Sequence, residues 1–296
     1  MCISSRKGTA KTNVGNCEII ENFGLKGDAH AGSERQVSLL SENAVNDFRR
    51  RCDGKVTVSP GIFGENLLVD SVDLTNYPVG AIIIIGDVIL AVTQIGKTCH
   101  SGCDIMARTG ECIMPQEGVF AKVIRGGSVA VGDEVRIPYR AAVITASDRS
   151  YRKEREDKSG PAIVNRLEES GYYVGSRVLL PDDEDGLAGE LARIADDERP
   201  DVIFTTGGTG LSERDRMPEA TKRVADRDVP GIAEAIRAYS MKITPNAMLS
   251  RAVSVIRKKT LIVNLPGSPK AVEECLDLIL PGLEHGLGIL RGDTDG

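Results

Sequence analysis

A short apolar run in the second half of the chain ends in a segment with almost no side-chain bulk. Residues 202–204 are typical of a buried strand, and they lead into Thr205, Thr206 and the glycine-rich segment 207–210. Pro218, further on, suits the first turn of a helix. A strand, a glycine loop and a helix start expose backbone N–H groups to an anion, although such a segment alone also suits an ordinary turn. The Gly-Lys-Ser/Thr ending of a P-loop is missing, so we predict a phosphate site of another kind.

Three other apolar runs in this half, 142–146, 178–180 and 261–263, also end in polar or glycine residues. The ends of parallel strands converge on one crevice, so four such ends favour a shared site. Apolar residues recur at helical spacing between the strands and again after residue 271, up to Pro281, which should interrupt the last helix. The pattern predicts a three-layer α/β domain with a largely parallel sheet and helices on both faces.

Residues 1–138 follow a different pattern of short β-branched runs separated by glycine turns. The run 81–92 around Gly86-Asp87 predicts a hairpin, and only 43–51 has helical character. Such spacing favours a mainly β domain, a barrel or a sandwich. The proline junction at residue 138 predicts two closely coupled domains, 1–138 and 139–296.

Composition excludes several classes of protein. The 296 residues suit two domains, and the net charge of −6 includes no basic excess of the kind that nucleic-acid binding requires. No stretch is apolar enough to span a membrane, and the first residues lack the apolar core of an export signal. Seven cysteines, an odd number, favour a reducing compartment over a disulfide framework. We therefore expect a cytoplasmic protein.

The order of motifs in residues 139–296 resembles the molybdopterin adenylyltransferase family of molybdenum cofactor biosynthesis. The matching segments are Ser147-Asp148-Arg149, 157–161, 180–183, 205–210 with Arg214-Asp215, Pro230-Gly231, Leu249-Ser250-Arg251 and 264–270. The resemblance implies a homotrimeric α/β protein that uses ATP and Mg²⁺ to adenylylate the terminal phosphate of molybdopterin, with release of pyrophosphate.

The resemblance also implies roles for individual residues. Asp182 and Asp215 match the family's functional aspartates and would be catalytic residues that hold Mg²⁺. The acidic segment 182–185 would equally suit a charged turn before a helix. The glycine loop and the Pro-Gly-Ser-Pro turn would hold the pterin phosphate. The expected substrate-binding residues are Ser147, Asp148, Thr205, Thr206, Gly207, Gly208, Thr209, Gly210, Asn264, Pro266, Gly267, Ser268, Pro269 and Lys270.

One position departs from the family pattern. The family has threonine before its Pro-Glu-Ala segment, whereas this chain has Met217. Threonine would cap the helix by accepting a hydrogen bond from a backbone N–H, which methionine cannot do. Either Ser212 or Asp215 replaces the cap, or the helix begins less tightly. Capping by Asp215 would compete with its catalytic role.

The first half resembles the MOSC domain, named for the C-terminal domain of molybdenum cofactor sulfurase. The matching segments are 24–32, 36–40, 61–67, Gly86-Asp87 and Gly132-Asp133. The resemblance implies a β-barrel that binds molybdenum cofactor, often with a cysteine suited to carrying sulfur. The expected cofactor-binding residues are Lys26, Asp28, His30, Glu65 and Asn66.

We take Cys103 as the sulfur-carrying residue, with Cys99 a close rival. Lys97 and His100 would favour the reactive thiolate. A single pair with this wide spacing makes a zinc site or an iron–sulfur cluster a less favoured alternative, and buried structural thiols are an equal one. A chain of this length leaves no room for a desulfurase region, so sulfur would come from a separate donor protein.

Together these patterns predict an enzyme of molybdenum cofactor biosynthesis. Residues 139–296 would adenylylate molybdopterin, and residues 1–138 would bind cofactor and transfer sulfur. An acceptor molybdoenzyme would receive the product, and the choice between molybdate and tungstate does not follow from the sequence. The alternative is a non-catalytic carrier or maturation scaffold, which would need the two phosphate-binding turns but not the aspartates.

Overall fold

The computed structural model describes residues 1–52, 57–98 and 110–292. The chain divides into two compact units, Met1–Pro138 and Tyr139–Gly296. Each unit has hydrophobic cores of its own.

The first unit is built mainly from short strands. Its strands are β1 (Cys2–Ile3), β2 (Thr12–Asn13), β3 (Asn16–Ile20), β4 (Gly24–Leu25), β5 (Val37–Ser41), β6 (Leu67–Val69), β7 (Ile82–Ile85), β8 (Val88–Ile95), β9 (Val119–Arg125), β10 (Gly127–Ala130) and β11 (Val135–Arg136). The six-stranded sheet has the order β11-β7-β8-β9-β5-β6, and a three-stranded sheet has the order β10-β3-β4. Residues from both sheets share one core, which gives a nearly closed, barrel-like arrangement.

Local sequence explains the turns and helices of this unit. The predicted hairpin is confirmed, because β7 and β8 pair as neighbours up to Ile85 and Val88, with Gly86 at a φ of +56°. The predicted helix is present as α1 (Glu42–Cys52), which buries Val45 and Phe48. A one-turn helix, α2 (Met114–Glu117), precedes β9.

The second unit alternates strands and helices. Its strands are β12 (Arg140–Ala146), β13 (Tyr173–Leu180), β14 (Val202–Thr206), β15 (Arg227–Asp228), β16 (Ser254–Arg257) and β17 (Thr260–Leu265). Its helices are α3 (Asp148–Tyr151), α4 (Ser159–Glu169), α5 (Glu184–Arg193), α6 (Met217–Arg223), α7 (Pro230–Ser240) and α8 (Pro269–Arg291). A π-helical turn (Ile194–Glu198) follows α5, and 3₁₀ turns lie at Leu74–Asn76 and Pro245–Leu249.

The strand order of the second sheet is β13-β12-β14-β17-β16-β15. The first four strands run parallel to one another, and β16 and β15 are added in antiparallel pairs. Alternate residues of β12 enter different cores, with Val143 packing in the core that contains α8 residues and Ile144 in the core that contains α5 residues. Helices therefore cover both faces, as the sequence pattern predicts.

The prediction that Pro281 interrupts the last helix is wrong. Helix α8 continues past Pro281 to Arg291. Leu283 and Leu287, beyond the proline, are buried in the core, so tertiary packing outweighs the lost backbone hydrogen bond. Cys275 lies in the same core, as predicted. Among the described residues, no helix has the length and apolar character needed to cross a membrane.

Candidate active site

The carboxyl ends of the four parallel strands are aligned in the second unit. Ala146 at the end of β12 is level with Leu180 of β13, and Thr206 of β14 is level with Leu265 of β17. The segments that follow these strands therefore leave the sheet at one edge, which is where ligands bind in open parallel sheets.

A cavity of about 180 Å³ lies at this edge. Its lining residues are Thr145, Ala146, Ser147, Ser150, Arg155, Glu156, Asp157, Lys158, Ser159, Thr206, Gly207 and Gly267. Four predicted residues, Ser147, Thr206, Gly207 and Gly267, are among them. Hydroxyl groups, two cations and close main chain are the groups that bind a phosphate.

Asp157 organises one wall of this cavity. One carboxylate oxygen accepts hydrogen bonds from the backbone of Ser159 (3.1 Å) and Gly160 (3.0 Å), at the start of α4. The other oxygen accepts a bond from the Thr145 hydroxyl (3.0 Å) and pairs with Arg177 (3.1 Å). Its charge is thus compensated by Arg177, and the other charged side chains of the lining are Arg155, Lys158 and Glu156.

Two turns that are distant in sequence lie together at the edge of this cavity. The Ser159 hydroxyl donates to the Gly267 carbonyl (2.8 Å), and the Thr206 hydroxyl donates to the Pro266 carbonyl (2.6 Å). A Cβ atom on Gly267 would lie 3.5 Å from the Cα atom of Gly207. The glycine loop and the Pro-Gly-Ser-Pro turn therefore form one surface.

Gly207 cannot be another residue without distortion. Its φ is +87°, and a Cβ atom there would lie 2.1 Å from the Ala146 carbonyl oxygen. The loop is consequently held against the end of β12, with its main chain at the cavity.

Three carboxylates, those of Asp148, Asp182 and Asp215, lie near the glycine loop. The backbone N–H of Asp148 donates to the Asp182 carboxylate (3.0 Å), and that of Asp182 donates to the Asp148 carboxylate (3.1 Å). Arg214 forms an ion pair with Asp148. The reciprocal bonds fix the ends of β12 and β13 relative to each other.

Asp182 has an unusual environment. Its Oδ1 atom is buried and has no hydrogen-bond partner among the residues that the structure describes. Burial, followed by the charges of Asp148 and Asp215, raises the pKa of Asp182, although a backbone hydrogen bond from Asp148 and the Arg214 charge oppose the shift. A cation near this oxygen would favour the ionised carboxylate.

The glycine loop brings Asp182 and Asp215 to the same place. A Cβ atom on Gly208 would lie 3.1 Å from Asp182 Oδ1, and one on Gly210 would lie 2.9 Å from Asp215 Oδ2. One part of the loop thus lines the cavity, and the next part contacts both predicted catalytic aspartates.

The donor set fits Mg²⁺ only together with substrate. Among residues 1–52, 57–98 and 110–292, no group of three His, Cys, Asp or Glu residues is arranged to hold a metal ion. Mg²⁺ commonly takes one or two carboxylates and completes its shell with water and substrate phosphates. The unpartnered oxygen of Asp182 and the adjacent Asp215 suit that kind of site.

Helix α6 begins at Met217 without a side-chain cap. The N-cap residue is Arg216, which makes no capping hydrogen bond through its side chain. Asp215 instead accepts a bond from the Ser212 backbone (3.0 Å), and Met217 is buried in the core. The cap position is therefore one residue before Met217, and the Asp215 carboxylate bonds to Ser212 rather than to the helix.

Several expected substrate-binding residues lie elsewhere. The Asn264 amide is buried; it donates to the hydroxyls of Thr205 and Thr221 (both 2.9 Å) and accepts from the Val253 backbone (3.2 Å). These bonds hold Asn264 and Thr205 in place within the protein, and their contact with substrate stays a prediction. Lys270 is 80% exposed and lies 3.8 Å from Glu274, away from the cavity lining.

The remaining predicted residues border the site. Thr209, Gly210 and Pro266 line a neighbouring, more apolar cavity of about 280 Å³. Ser268 precedes α8 and Pro269 begins it. The cavity lining also contains Ser150, Arg155, Lys158 and Ser159, which the sequence pattern does not predict as site residues, although the last two lie in the family-matching segment 157–161.

A separate cavity of about 560 Å³ lies in the first unit. It is lined by Lys7, His30, Ser33, Glu34, Arg35, Thr93 and Gln94. His30 is the member of the predicted cofactor-binding set that lines it. The three basic side chains suit an anionic ligand.

Asp28 holds His30 in this cavity wall. Its carboxylate lies 3.3 Å from His30 Nδ1 and accepts a bond from the His30 backbone (2.9 Å), while Lys11 Nζ lies 2.8 Å away. Burial would raise the pKa of Asp28, but the contacts with His30 and Lys11 outweigh it and lower the pKa. Asp28 is therefore a buried, ionised support for His30.

The other predicted residues of this unit have internal partners. Glu65 accepts hydrogen bonds from the backbone of Gly61 and Phe63, and Asn66 bonds to Ser38 and to the Cys2 carbonyl. Both side chains are buried, and their contact with cofactor stays a prediction. Lys26 is exposed and pairs with Glu18 (2.6 Å). Cys99, His100 and Cys103 lie outside the described residues.

Comparison with known proteins agrees with this division. Residues 142–285 match the family model described as a probable molybdopterin binding domain, and residues 26–136 match the MOSC domain model. The chain is 39% identical over 155 residues to the molybdopterin adenylyltransferase of Helicobacter pylori strain J99, covering 51% of this chain and 87% of that protein. It is 39% identical over 141 residues to the Escherichia coli K12 molybdopterin adenylyltransferase, covering 47% and 72%.

A solved structure also resembles part of this chain. The molybdopterin biosynthesis enzyme MoaB from Thermus thermophilus is 44% identical, with a TM-score of 0.50 over 52% of this chain and 97% of that chain. Both types of similarity fall on the half that contains the glycine loop and the aspartates. The chain therefore belongs, through its second unit, to the molybdopterin adenylyltransferase family, and carries a MOSC domain ahead of it.

Proposed function

We propose that residues 139–296 adenylylate molybdopterin with Mg²⁺ and ATP. The observation that carries this proposal is the glycine loop, which borders the cavity at Gly207 and contacts Asp182 and Asp215 through Gly208 and Gly210. A phosphate bound in the cavity would lie beside carboxylates suited to a metal-bound triphosphate. Proximity of this kind is the main requirement for a transfer between two phosphates.

In the proposed reaction, an oxygen of the pterin phosphate attacks the α-phosphorus of ATP. A new phosphorus–oxygen bond forms, the bond from the α-phosphorus to the bridging oxygen breaks, and pyrophosphate leaves. Main chain at Gly207 and Gly267, with Arg155 and Lys158, would bind and orient the pterin phosphate. Asp182 and Asp215 would hold Mg²⁺, which when bound neutralises charge on the triphosphate.

The arrangement of the two aspartates favours an enzyme over a carrier. A protein that only binds finished cofactor needs an anion site but has no use for a buried carboxylate oxygen without a partner, such as Asp182 Oδ1. Asp215 is also not taken up by helix capping. Both aspartates are therefore suited to the metal role.

The direct test is to incubate the full chain with molybdopterin, ATP and Mg²⁺. We expect adenylated pterin and pyrophosphate in equal amounts, measured by chromatography and a coupled pyrophosphate assay. Tight pterin binding without either product would instead establish the carrier function.

For residues 1–138 we propose binding of molybdenum cofactor in the 560 Å³ cavity, supported by its basic lining. The volume is in the range of small-molecule sites. Sulfur carried on Cys103, delivered by a separate donor protein and passed on to an acceptor molybdoenzyme, completes the proposal. A homotrimer in the cytoplasm is the assembly and location that we propose.

The segment Tyr139–Gly296 expressed alone should fold and turn over. It contains both α/β cores and every residue proposed for adenylylation. We expect kcat within about threefold of the full chain, because the first unit supplies no proposed catalytic group. The control is the far-UV circular dichroism of the fragment. A folded but inactive fragment would show that the first unit contributes to catalysis.

Cys103→Ser should abolish persulfide formation with a sulfur donor and leave adenylylation unchanged. The reason is that the thiolate is the reactive species and is proposed only for the first unit. Mass spectrometry after iodoacetamide labelling should show Cys103 modified before the buried Cys275, with protection by bound cofactor. Cys99→Ser is the matched variant. Slow, unprotected labelling at Cys103 would leave the first unit as a binding domain only.

A further inference from the structure

Arg251 contacts the glycine loop from a distant part of the chain. It lies between the Pro245–Leu249 turn and β16, and its side chain is 34% exposed. Its backbone N–H donates to the Thr209 carbonyl (2.9 Å). Its Nε atom donates to the Gly210 carbonyl (2.6 Å), so one residue anchors two consecutive loop positions.

The same guanidinium also anchors the far end of the loop. One terminal nitrogen donates to the Asp215 carbonyl, and the other pairs with the Glu219 carboxylate in α6. The planar guanidinium presents several donors in a fixed arrangement, which a lysine ammonium cannot reproduce. Arg251 therefore fixes the distance between Gly210 and Asp215.

Besides Arg251, the loop is anchored through the ion pair of Arg214 with Asp148. Residues 211–214 are exposed, and the bonds within this part of the loop connect Ser212 with Arg214 and Asp215. At the other end, the Met217 backbone donates to the Gly208 carbonyl (3.2 Å). Without the Arg251 side chain, the carbonyls of Gly210 and Asp215 would lose their partner, and the Asp215 carboxylate would lose its fixed position against Gly210.

We propose that Arg251 is a positioning residue that keeps the phosphate-binding loop and Asp215 in register for adenylyl transfer. This rests on the function proposed above. Arg251 acts through main-chain carbonyls and does not itself contact the reacting atoms. Its loss should lower kcat more than it weakens the binding of pterin, because the turn at Gly207 is held independently by β12 and the Pro-Gly turn.

Arg257 provides a matched control. It pairs with Asp196 (2.6 Å), donates to the Val224 carbonyl (3.1 Å) and is 23% exposed. Like Arg251, it joins a carboxylate and a main-chain carbonyl, but neither partner belongs to the glycine loop. Arg257→Lys therefore measures how much stability is lost when a contact of this kind is weakened away from the site.

The experiment compares Arg251→Lys, Glu219→Gln and Arg257→Lys in the full chain. We expect Arg251→Lys to lower kcat about 10- to 100-fold, with less than threefold change in the pterin KM. Glu219→Gln, which keeps the arginine but frees one end of it, should have a smaller effect in the same direction. Arg257→Lys should lower the Tm by about as much as Arg251→Lys does, but it should leave kcat unchanged.

Hydrogen exchange of the ligand-free protein gives a second readout. Amides of residues 208–216 should exchange at least about tenfold faster in Arg251→Lys but not in Arg257→Lys. Wild-type exchange rates in Arg251→Lys, or kcat within twofold of wild type, would overturn the proposal. If the wild-type chain forms no adenylated pterin, the proposed function fails, while the exchange rates still decide whether Arg251 holds the loop.

Discussion

Replacing Asp215 by alanine should lower kcat for adenylylation about 100- to 1,000-fold while pterin binding changes less than threefold. Asp215 is proposed to act on the metal-bound triphosphate, whereas Gly207 and Gly267 border the cavity for the pterin phosphate. Loss of Asp215 should therefore slow adenylylation without weakening the binding of pterin. Initial rates at saturating ATP, together with pterin binding measured by fluorescence, provide the test.

Two further variants separate the possible roles of Asp215. Its carboxylate accepts a hydrogen bond from the Ser212 backbone, so alanine removes both a charge and a loop contact. Asparagine retains an acceptor without the charge. If Asp215→Asn is as slow as Asp215→Ala, the charge is the important property. Glu213→Ala, at an exposed position of the same loop, should behave as wild type.

Loss of pterin binding in Asp215→Ala would contradict this assignment. It would mean that Asp215 mainly shapes the loop through Ser212. Full turnover in Asp215→Ala would exclude the residue from catalysis altogether, and Asp182 would then be the remaining carboxylate proposed for the metal.

The charges around Asp182 favour the binding of a cation. Arg214 compensates Asp148, but Asp182 keeps an unpartnered buried oxygen and a raised pKa, caused first by burial and then by neighbouring carboxylates. A cation arriving with the triphosphate would offset this unfavourable burial. The binding energy of the metal complex should therefore depend on both aspartates.

Local patterns were sufficient to predict the sheet edge and the glycine loop. Apolar runs that end in polar groups identify strand ends. In a parallel sheet these ends lie at one edge, independently of how the helices pack. Gly207 and Gly208 have φ values of +87° and +62°, a backbone conformation that glycine adopts without strain.

Contacts between distant segments could not be predicted in the same way. The Ser159 hydroxyl bonds to the Gly267 carbonyl, 108 positions further along the chain, and this contact depends on where α4 begins. Asn264 follows the polar pattern of a strand end, yet its amide turns inward to Thr205 and Thr221. A polar residue near a site can therefore be a ligand contact or an internal support, and only the packing distinguishes them.

Arg251 illustrates the same difficulty. Its position within Leu249-Ser250-Arg251 matches the family, but nothing local indicates that it bonds to Gly210 and Asp215. Pro281 is the opposite case, because a strong local rule is overruled by core packing of Leu283 and Leu287. Local sequence is thus a poor predictor where contacts with distant segments decide the structure.

Replacing Gly207 by alanine should destabilise the second unit and abolish activity. The added Cβ would lie 2.1 Å from the Ala146 carbonyl oxygen, and the residue would keep a φ of +87°. The left-handed backbone costs about 1–2 kcal/mol for an L-residue, and crowding against a rigid strand adds about 1–3 kcal/mol. We expect a loss of roughly 2–5 kcal/mol in the free energy of unfolding, measured by urea denaturation.

The activity of Gly207→Ala should fall further than its stability explains. Relief of the clash requires the loop to move away from β12, which displaces the main chain at Gly207 and its neighbour Gly208 from the cavity and from Asp182. Gly189→Ala, in an exposed turn of α5 with no atom within 4 Å of the new Cβ, is the matched control. It should be neutral or stabilising by about 0.4–1 kcal/mol. A Gly207→Ala protein with wild-type stability and rate would mean that this loop is not held against β12, and the proposed phosphate site would fall with it.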